Sequence, residues 1–190
     1  DSVKMVWGER FEDNFGPIAA VQESQIKTVD DGEILHTNDR DLQFIYTPGH
    51  APHHIAIFDR KLKGLFCGEA LGMPGYQLPT AAPMSFDLDS YLSTIEKLQH
   101  SGLGIDMLIY SHGGIERDPA GCMNGAADNA LAFRDIVMKA MKLGKSRSET
   151  GKALGSYIQD KYDSNAKSDL QGYETIAAGY ITCFEKKRNK

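Results

Sequence analysis

The chain has 190 residues, 41% of them hydrophobic and 25% charged, an ordinary balance for a globular protein with a sizeable core. Its net charge of −5 argues against a nucleic-acid partner, which normally demands a basic face, and no apolar run approaches the roughly 20 residues that cross a bilayer. Cys67, Cys122 and Cys183 are odd in number and far apart, so neither a disulfide framework nor a Cys-x-x-Cys metal pair is expected, and a reducing cytoplasm is the expected compartment.

In chain order, residues 3–7 read as a short strand and residues 9–22 as a weakly helical connection broken at Gly16-Pro17. Residues 26–29 and 33–37 read as short strands around the Asp30-Asp31-Gly32 turn. Residues 42–46 form a strand that stops at Pro48-Gly49. Residues 54–58 and 64–67 follow as a hairpin, with His50 ahead of it and Glu69 behind it. Residues 73–83 are a Gly/Pro-rich loop without periodicity. Asp87 is placed to cap a helix whose Leu88, Tyr91, Leu92, Ile95 and Leu98 share one face. Residues 106–110 are a short buried strand running into His112. Strand, helix, strand in this order indicates an α/β layered architecture.

From Met123 the texture becomes helical, with Ala127, Leu131, Ile136, Val137, Ala140 and Met141 in one stripe closed by Gly144. Ser146-Arg147-Ser148-Glu149 and Ser168-Asp169-Leu170-Gln171 match the capping-box pattern. The last helix carries Tyr173, Ile176, Ala177, Tyr180, Ile181 and Phe184 at three-to-four-residue spacing. The division is therefore an α/β part over 1–122 and a helical region over 123–190. That stripe is expected to bury against the α/β part or a second subunit.

Three groups able to hold metal sit at strand ends beside glycine or proline, where a rigid scaffold presents functional side chains. They are His50 in Thr47-Pro48-Gly49-His50-Ala51-Pro52-His53-His54, Glu69 in Cys67-Gly68-Glu69-Ala70, and His112 in Tyr110-Ser111-His112-Gly113-Gly114. A His/carboxylate/His set suits zinc, iron or manganese. Cys67 lies two residues before Glu69 and would share its face on a continuing strand. A buried thiol there is read first as a core residue and second as a soft ligand. His54 is read as supporting the site, His53 as a surface residue, and His36 and His100 as structural. Tyr76, in the loop after Glu69, reads equally as a residue lining a substrate cleft or as a surface aromatic. The acidic charge argues against reading the C-terminal helices as a nucleic-acid-binding pair.

The order and wording of these motifs resemble the second half of the metallo-β-lactamase αβ/βα sandwich, over roughly residues 3–120, and hydrolases related to glyoxalase II in particular. The resemblance implies that His50 completes one metal site, that Glu69 bridges two metals and that His112 completes the second. It implies one or two zinc ions, with iron or manganese as alternatives. The chemistry implied is hydrolysis of an ester, thioester or related small-molecule carbonyl substrate by metal-activated water.

Two departures stand out. The family's His-x-His-x-Asp-His segment is not among the six histidines, so no catalytic residue is assignable and this chain by itself is expected to be inactive. The bridging position, usually Asp, is Glu69, and the added methylene moves the carboxylate by more than about 1 Å against a ligand tolerance of about 0.2 Å. A segment ahead of Asp1 is expected, and a half sandwich would expose one apolar sheet face, so homo-oligomerisation or association with that segment is expected too. The rival readings are a di-iron redox enzyme on the same fold and a non-catalytic binding module.

Overall fold

A computed structural model describes residues 8–162 and 170–188 of the chain. The strand expected at residues 3–7 and the Ser168-Asp169 part of the second capping box lie outside them. After a short helix, α1 (Arg10–Phe15), four strands run as an antiparallel meander: β1 (Ile34–His36), β2 (Asp41–Tyr46), β3 (Ile55–Asp59) and β4 (Gly64–Gly68). β4 then pairs in parallel with β5 (Met107–Tyr110), a pairing that needs a crossover, and α2 (Leu88–Gln99) supplies it. β6 (Ile115–Glu116) returns antiparallel on β5, so the six strands lie in sequence order. Helices α3 (Pro119–Lys142), α4 (Arg147–Tyr162) and α5 (Leu170–Arg188) follow. Among the described residues no helix is long and apolar enough to cross a membrane.

The start signals act as read. Asp87 caps α2 by accepting from the Ser90 N–H at 2.8 Å. Ser146 and Glu149 close a reciprocal capping box, Ser146 N–H to Glu149 at 2.9 Å and Glu149 N–H to Ser146 at 3.2 Å. Residues 26–29 carry no strand. The edge of β2 that they would need is already occupied, its Phe44 N–H by the Glu33 carbonyl and its Tyr46 N–H by the Asp31 carboxylate. Helix α3 opens at Pro119, capped by Asp118, so residues 119–122 belong to the helix that the periodicity placed from Met123.

The two faces of the sheet differ. On one, Ile45, Ala56, Phe58, Leu65, Cys67, Leu108 and Tyr110 are buried. They form one hydrophobic core with Tyr91, Ile95 and Leu98 of α2, Phe133 and Val137 of α3, Leu154 and Ile158 of α4, and Tyr180 of α5. The helical region and the sheet therefore share a single core. On the other face, register aligns Phe44, Ile57, Phe66, Ile109 and Ile115 in a row across five strands. Phe66 and Ile115 there are 41% and 56% exposed, and Tyr46 and Ile55 at the row's edge are exposed as well.

Candidate metal centre

β2 ends at Tyr46, just before Thr47-Pro48, and the loop that follows is fixed by α2 and the chain leading into it. The Thr94 hydroxyl donates to the Pro48 carbonyl at 2.6 Å, Asp87 N–H to the Gly49 carbonyl at 2.8 Å, and the Ser85 hydroxyl to the His50 carbonyl at 2.8 Å. Gly49 meets the backbone of Tyr91 so closely that a Cβ would lie 2.5 Å from the Tyr91 Cα, so only glycine lets the loop seat there. Glu69 is delivered by the end of β4. Gly68 takes a φ of 56°, and the register with β5 shifts between Phe66 and Gly68. The strand does not continue, so the shared face expected for Cys67 and Glu69 is not formed: the thiol points into the core and the carboxylate turns out. His112 sits in a turn closed by Tyr110 N–H to the Gly114 carbonyl at 3.0 Å.

These three side chains, far apart in sequence, meet. His50 Nε2 lies 2.5 Å from Glu69 Oε2, and His112 Nε2 lies 3.3 Å from Glu69 Oε1. His50 Nδ1 is 2.6 Å from the Thr80 carbonyl, which only accepts, so Nδ1 carries the proton and Nε2 is the nitrogen left to face the carboxylate. Burial opposes charge on His50. The hydrogen bond with Glu69, the Thr80 carbonyl and the charge of Glu69 outweigh it and hold the pKa above the ordinary histidine value. The reciprocal bond from His50 holds Glu69 below the ordinary carboxylate value despite burial, with His112 contributing.

His54 supports this arrangement from behind. Its Nε2 accepts from the Glu69 backbone N–H at 3.1 Å, so Nδ1 carries the proton and donates to the Thr47 hydroxyl at 2.7 Å. Burial, helped by the nearby His50, pushes its pKa down, in keeping with that neutral tautomer. A Cβ on Gly68 would sit 2.6 Å from His54 Nε2, so glycine serves both the backbone turn and the ring beside it.

Cys67 is fully buried, donates to the Ile109 carbonyl at 3.4 Å, and is pushed up by burial to about 12. Tyr76 is half-buried, its ring 5.1 Å from that of Tyr162 in α4. His53 is exposed, His36 bonds Asp41 across the β1–β2 pair at 2.8 Å, and His100 ends α2 with Nδ1 on the Glu96 carbonyl at 2.9 Å. A groove of about 540 Å³ between the end of α2 and the start of α3, lined by Leu98, His100, Leu103, Pro119, Met123 and Asn124, includes none of the three meeting groups.

The donor set fits part of a metal centre. A histidine whose Nδ1–H is held by a backbone carbonyl presents Nε2 as metal-binding histidines do, and the carboxylate offers a separate oxygen to each ring. It does not make a complete one. Among the described residues no group of three His, Cys, Asp or Glu side chains is arranged closely enough to hold a metal ion by itself, and a tightly held zinc takes three or four protein ligands.

Residues 3–112 match the model of the metallo-beta-lactamase superfamily, more than half of the chain. The chain belongs to that superfamily. Solved structures agree on the fold. The chain is similar to a metallo-beta-lactamase family protein from Thermus thermophilus, with 16% identity over 99% of this chain and 61% of that one and a TM-score of 0.63. It is also similar to a beta-lactamase domain protein from Burkholderia ambifaria, with 15% identity over 98% and 54% of the two chains and a TM-score of 0.58. An archaeal metallo-beta-lactamase superfamily protein from Sulfolobus tokodaii matches at 24% identity over 68% and 49%, with a TM-score of 0.57. This chain thus spans about half to three-fifths of the length of these solved relatives.

Proposed function

We propose that the protein is a metal-dependent hydrolase of an ester or thioester, akin to the glyoxalase II branch of the superfamily, with His50, Glu69 and His112 as metal ligands. The observation that carries the reading is the Glu69 carboxylate bonded by two imidazoles, one on each oxygen, with His50 already in the tautomer that frees Nε2. Nδ1 of His50 is taken up by the Thr80 carbonyl while Nε2 faces the Glu69 carboxylate, and a divalent cation would sit between Nε2 and that carboxylate in place of a proton. A metal held by these residues would supply activated water and polarise the substrate carbonyl. His54 and Thr80 hold the ligands in place, His54 through the Glu69 backbone and Thr80 through Nδ1 of His50. Zinc is the metal we favour, with iron or manganese as the alternatives tested by analysis. The remaining ligands and the general base come from outside the described residues, and a second copy of the chain or a further segment covers the apolar sheet face.

Metal analysis of the purified chain and of Glu69→Ala, Glu69→Asp and His50→Ala provides the test, with zinc added alone. The unmodified chain is expected to bind zinc weakly and to hydrolyse model thioesters no faster than background. Glu69→Ala should lose metal. Glu69→Asp, which restores the acid usual at this position, should retain or tighten binding, because a bridge must reach its ions at about 2.0–2.2 Å and chain length decides whether it does. Undiminished metal content in Glu69→Ala would remove the carboxylate from the ligand set, and chelator-sensitive turnover by this chain alone would refute the view that groups are missing.

A further inference from the structure

Residues 73–85 lie between Glu69 and α2, and they orient the site. The Thr80 carbonyl takes the Nδ1–H of His50 at 2.6 Å, the Thr80 hydroxyl donates to the Glu69 carbonyl at 2.9 Å, and Ser85 holds the His50 carbonyl at 2.8 Å. The loop is in turn held by the helical region. Asn129, in the middle of α3, is fully buried among Ala126, Ala130 and Phe133, a place where an amide is costly unless it is bonded. Its amide protons go to the Tyr76 carbonyl at 2.6 Å, the Gln77 carbonyl at 3.4 Å and the Tyr162 hydroxyl at 3.1 Å. Its oxygen accepts from Lys161 at 2.7 Å. Gln77 is buried with a φ of 45°, a left-handed conformation that a non-glycine residue keeps only when its surroundings impose it. Further along the loop, Gly179 of α5 lies directly against Ala81, and a Cβ at 179 would overlap the Ala81 carbonyl oxygen.

We infer that Asn129 and Gly179 are positioning residues for the centre: the helical region sets the orientation of His50 by clamping residues 76–81 on either side of Thr80. The inference rests on His50 being a ligand only for its effect on metal affinity; the clamp itself stands on the hydrogen bonds.

The full chain is used for the test. Asn129→Asp keeps the shape and the acceptor for Lys161 but cannot donate to the two loop carbonyls. Gly179→Ala pushes on Ala81 from α5. Lys161→Met removes a partner of Asn129 without touching the loop. Nitrogen-15 NMR follows exchange of the His50 Nδ1 proton, and titration with cobalt(II) chloride alone follows metal affinity. In Asn129→Asp and Gly179→Ala the proton should exchange at least tenfold faster and cobalt should bind about tenfold more weakly, the lower end of what loss of an outer partner costs. Lys161→Met should leave both unchanged. Unchanged His50 exchange in both folded loop variants overturns the inference, as does an equal effect of Lys161→Met, which would indicate general loosening. If one loop variant does not fold, the other decides; if neither folds, the two residues serve stability alone and the inference fails. Cobalt binding unaffected by His50→Ala would refute the ligand role, and the proton measurement would then decide the clamp by itself.

Discussion

His50 and Glu69 each stabilise the charge of the other, and this fixes a pH signature. The lowered carboxylate contributes stability above its ordinary value of 4.5 and loses it as pH falls through the folded value. The raised imidazole contributes below its ordinary value of 6.5 and loses its contribution as pH rises through the folded value. In metal-free protein the pair therefore stabilises most between those two values. The stability lost in Glu69→Gln, measured by urea unfolding with chelator present, should peak at mildly acidic pH at about 1 kcal/mol and fade toward alkaline pH. A difference that is the same at every pH would mean that the pair is not charged as the geometry requires. The residues of this pair were legible because their side chains do the chemistry and stand beside Pro48-Gly49 and Gly68. Thr80 was not, because it acts through a carbonyl that every residue possesses. Asn129 did leave a signal, an amide at the place in the apolar stripe of α3 that Ala126, Ala130 and Phe133 occupy, and a buried amide implies partners.

Among the elements, those with a strong period or a cap were read most closely: β2, β3 and β4 by their apolar runs and glycine ends to within a residue or two, and the starts of α2 and α4 by Asp87 and the capping box. What failed was decided by pairing rather than by local sequence. Residues 26–29 have strand-like composition, yet β2 has no free edge for them. β6 is two residues long and exists because Leu108 and Ile109 offer an open side. The predicted stripe of α5 is buried where it matters. Tyr180 is fully enclosed, its ring 4.9 Å from Phe86 and 6.3 Å from Phe133, and its hydroxyl donates to the Ala130 carbonyl at 3.1 Å. Tyr180→Ala should cost about 3–5 kcal/mol and lower the melting temperature by about 10 °C. Circular dichroism of the whole chain checks this. Because Phe86 directly precedes the cap of α2, the sheet and the helices should melt together. Two separate transitions, with only the helical one displaced, would mean that α5 is an appendage and not part of the common core.

At the scale of the whole molecule, the unequal faces of the sheet are the feature with the largest consequence. One face is sealed by α2 and the C-terminal helices, while the other carries Phe44, Ile57, Phe66, Ile109 and Ile115 in register, with Phe66 and Ile115 exposed. A continuous apolar row of this kind marks an association surface or an aggregation hazard. The chain by itself should therefore sediment as a dimer or larger species in a concentration-dependent way. Phe66 sits in the middle of the row and is 41% exposed, so a lysine there reaches water in a monomer but is buried without a partner in a face-to-face pair. Combined Ile57→Thr and Phe66→Lys should yield a monomer by analytical ultracentrifugation whose melting temperature no longer depends on concentration, as mass action requires when association is lost. A monomeric unmodified chain with the same sedimentation as the double variant would show that the row needs no cover.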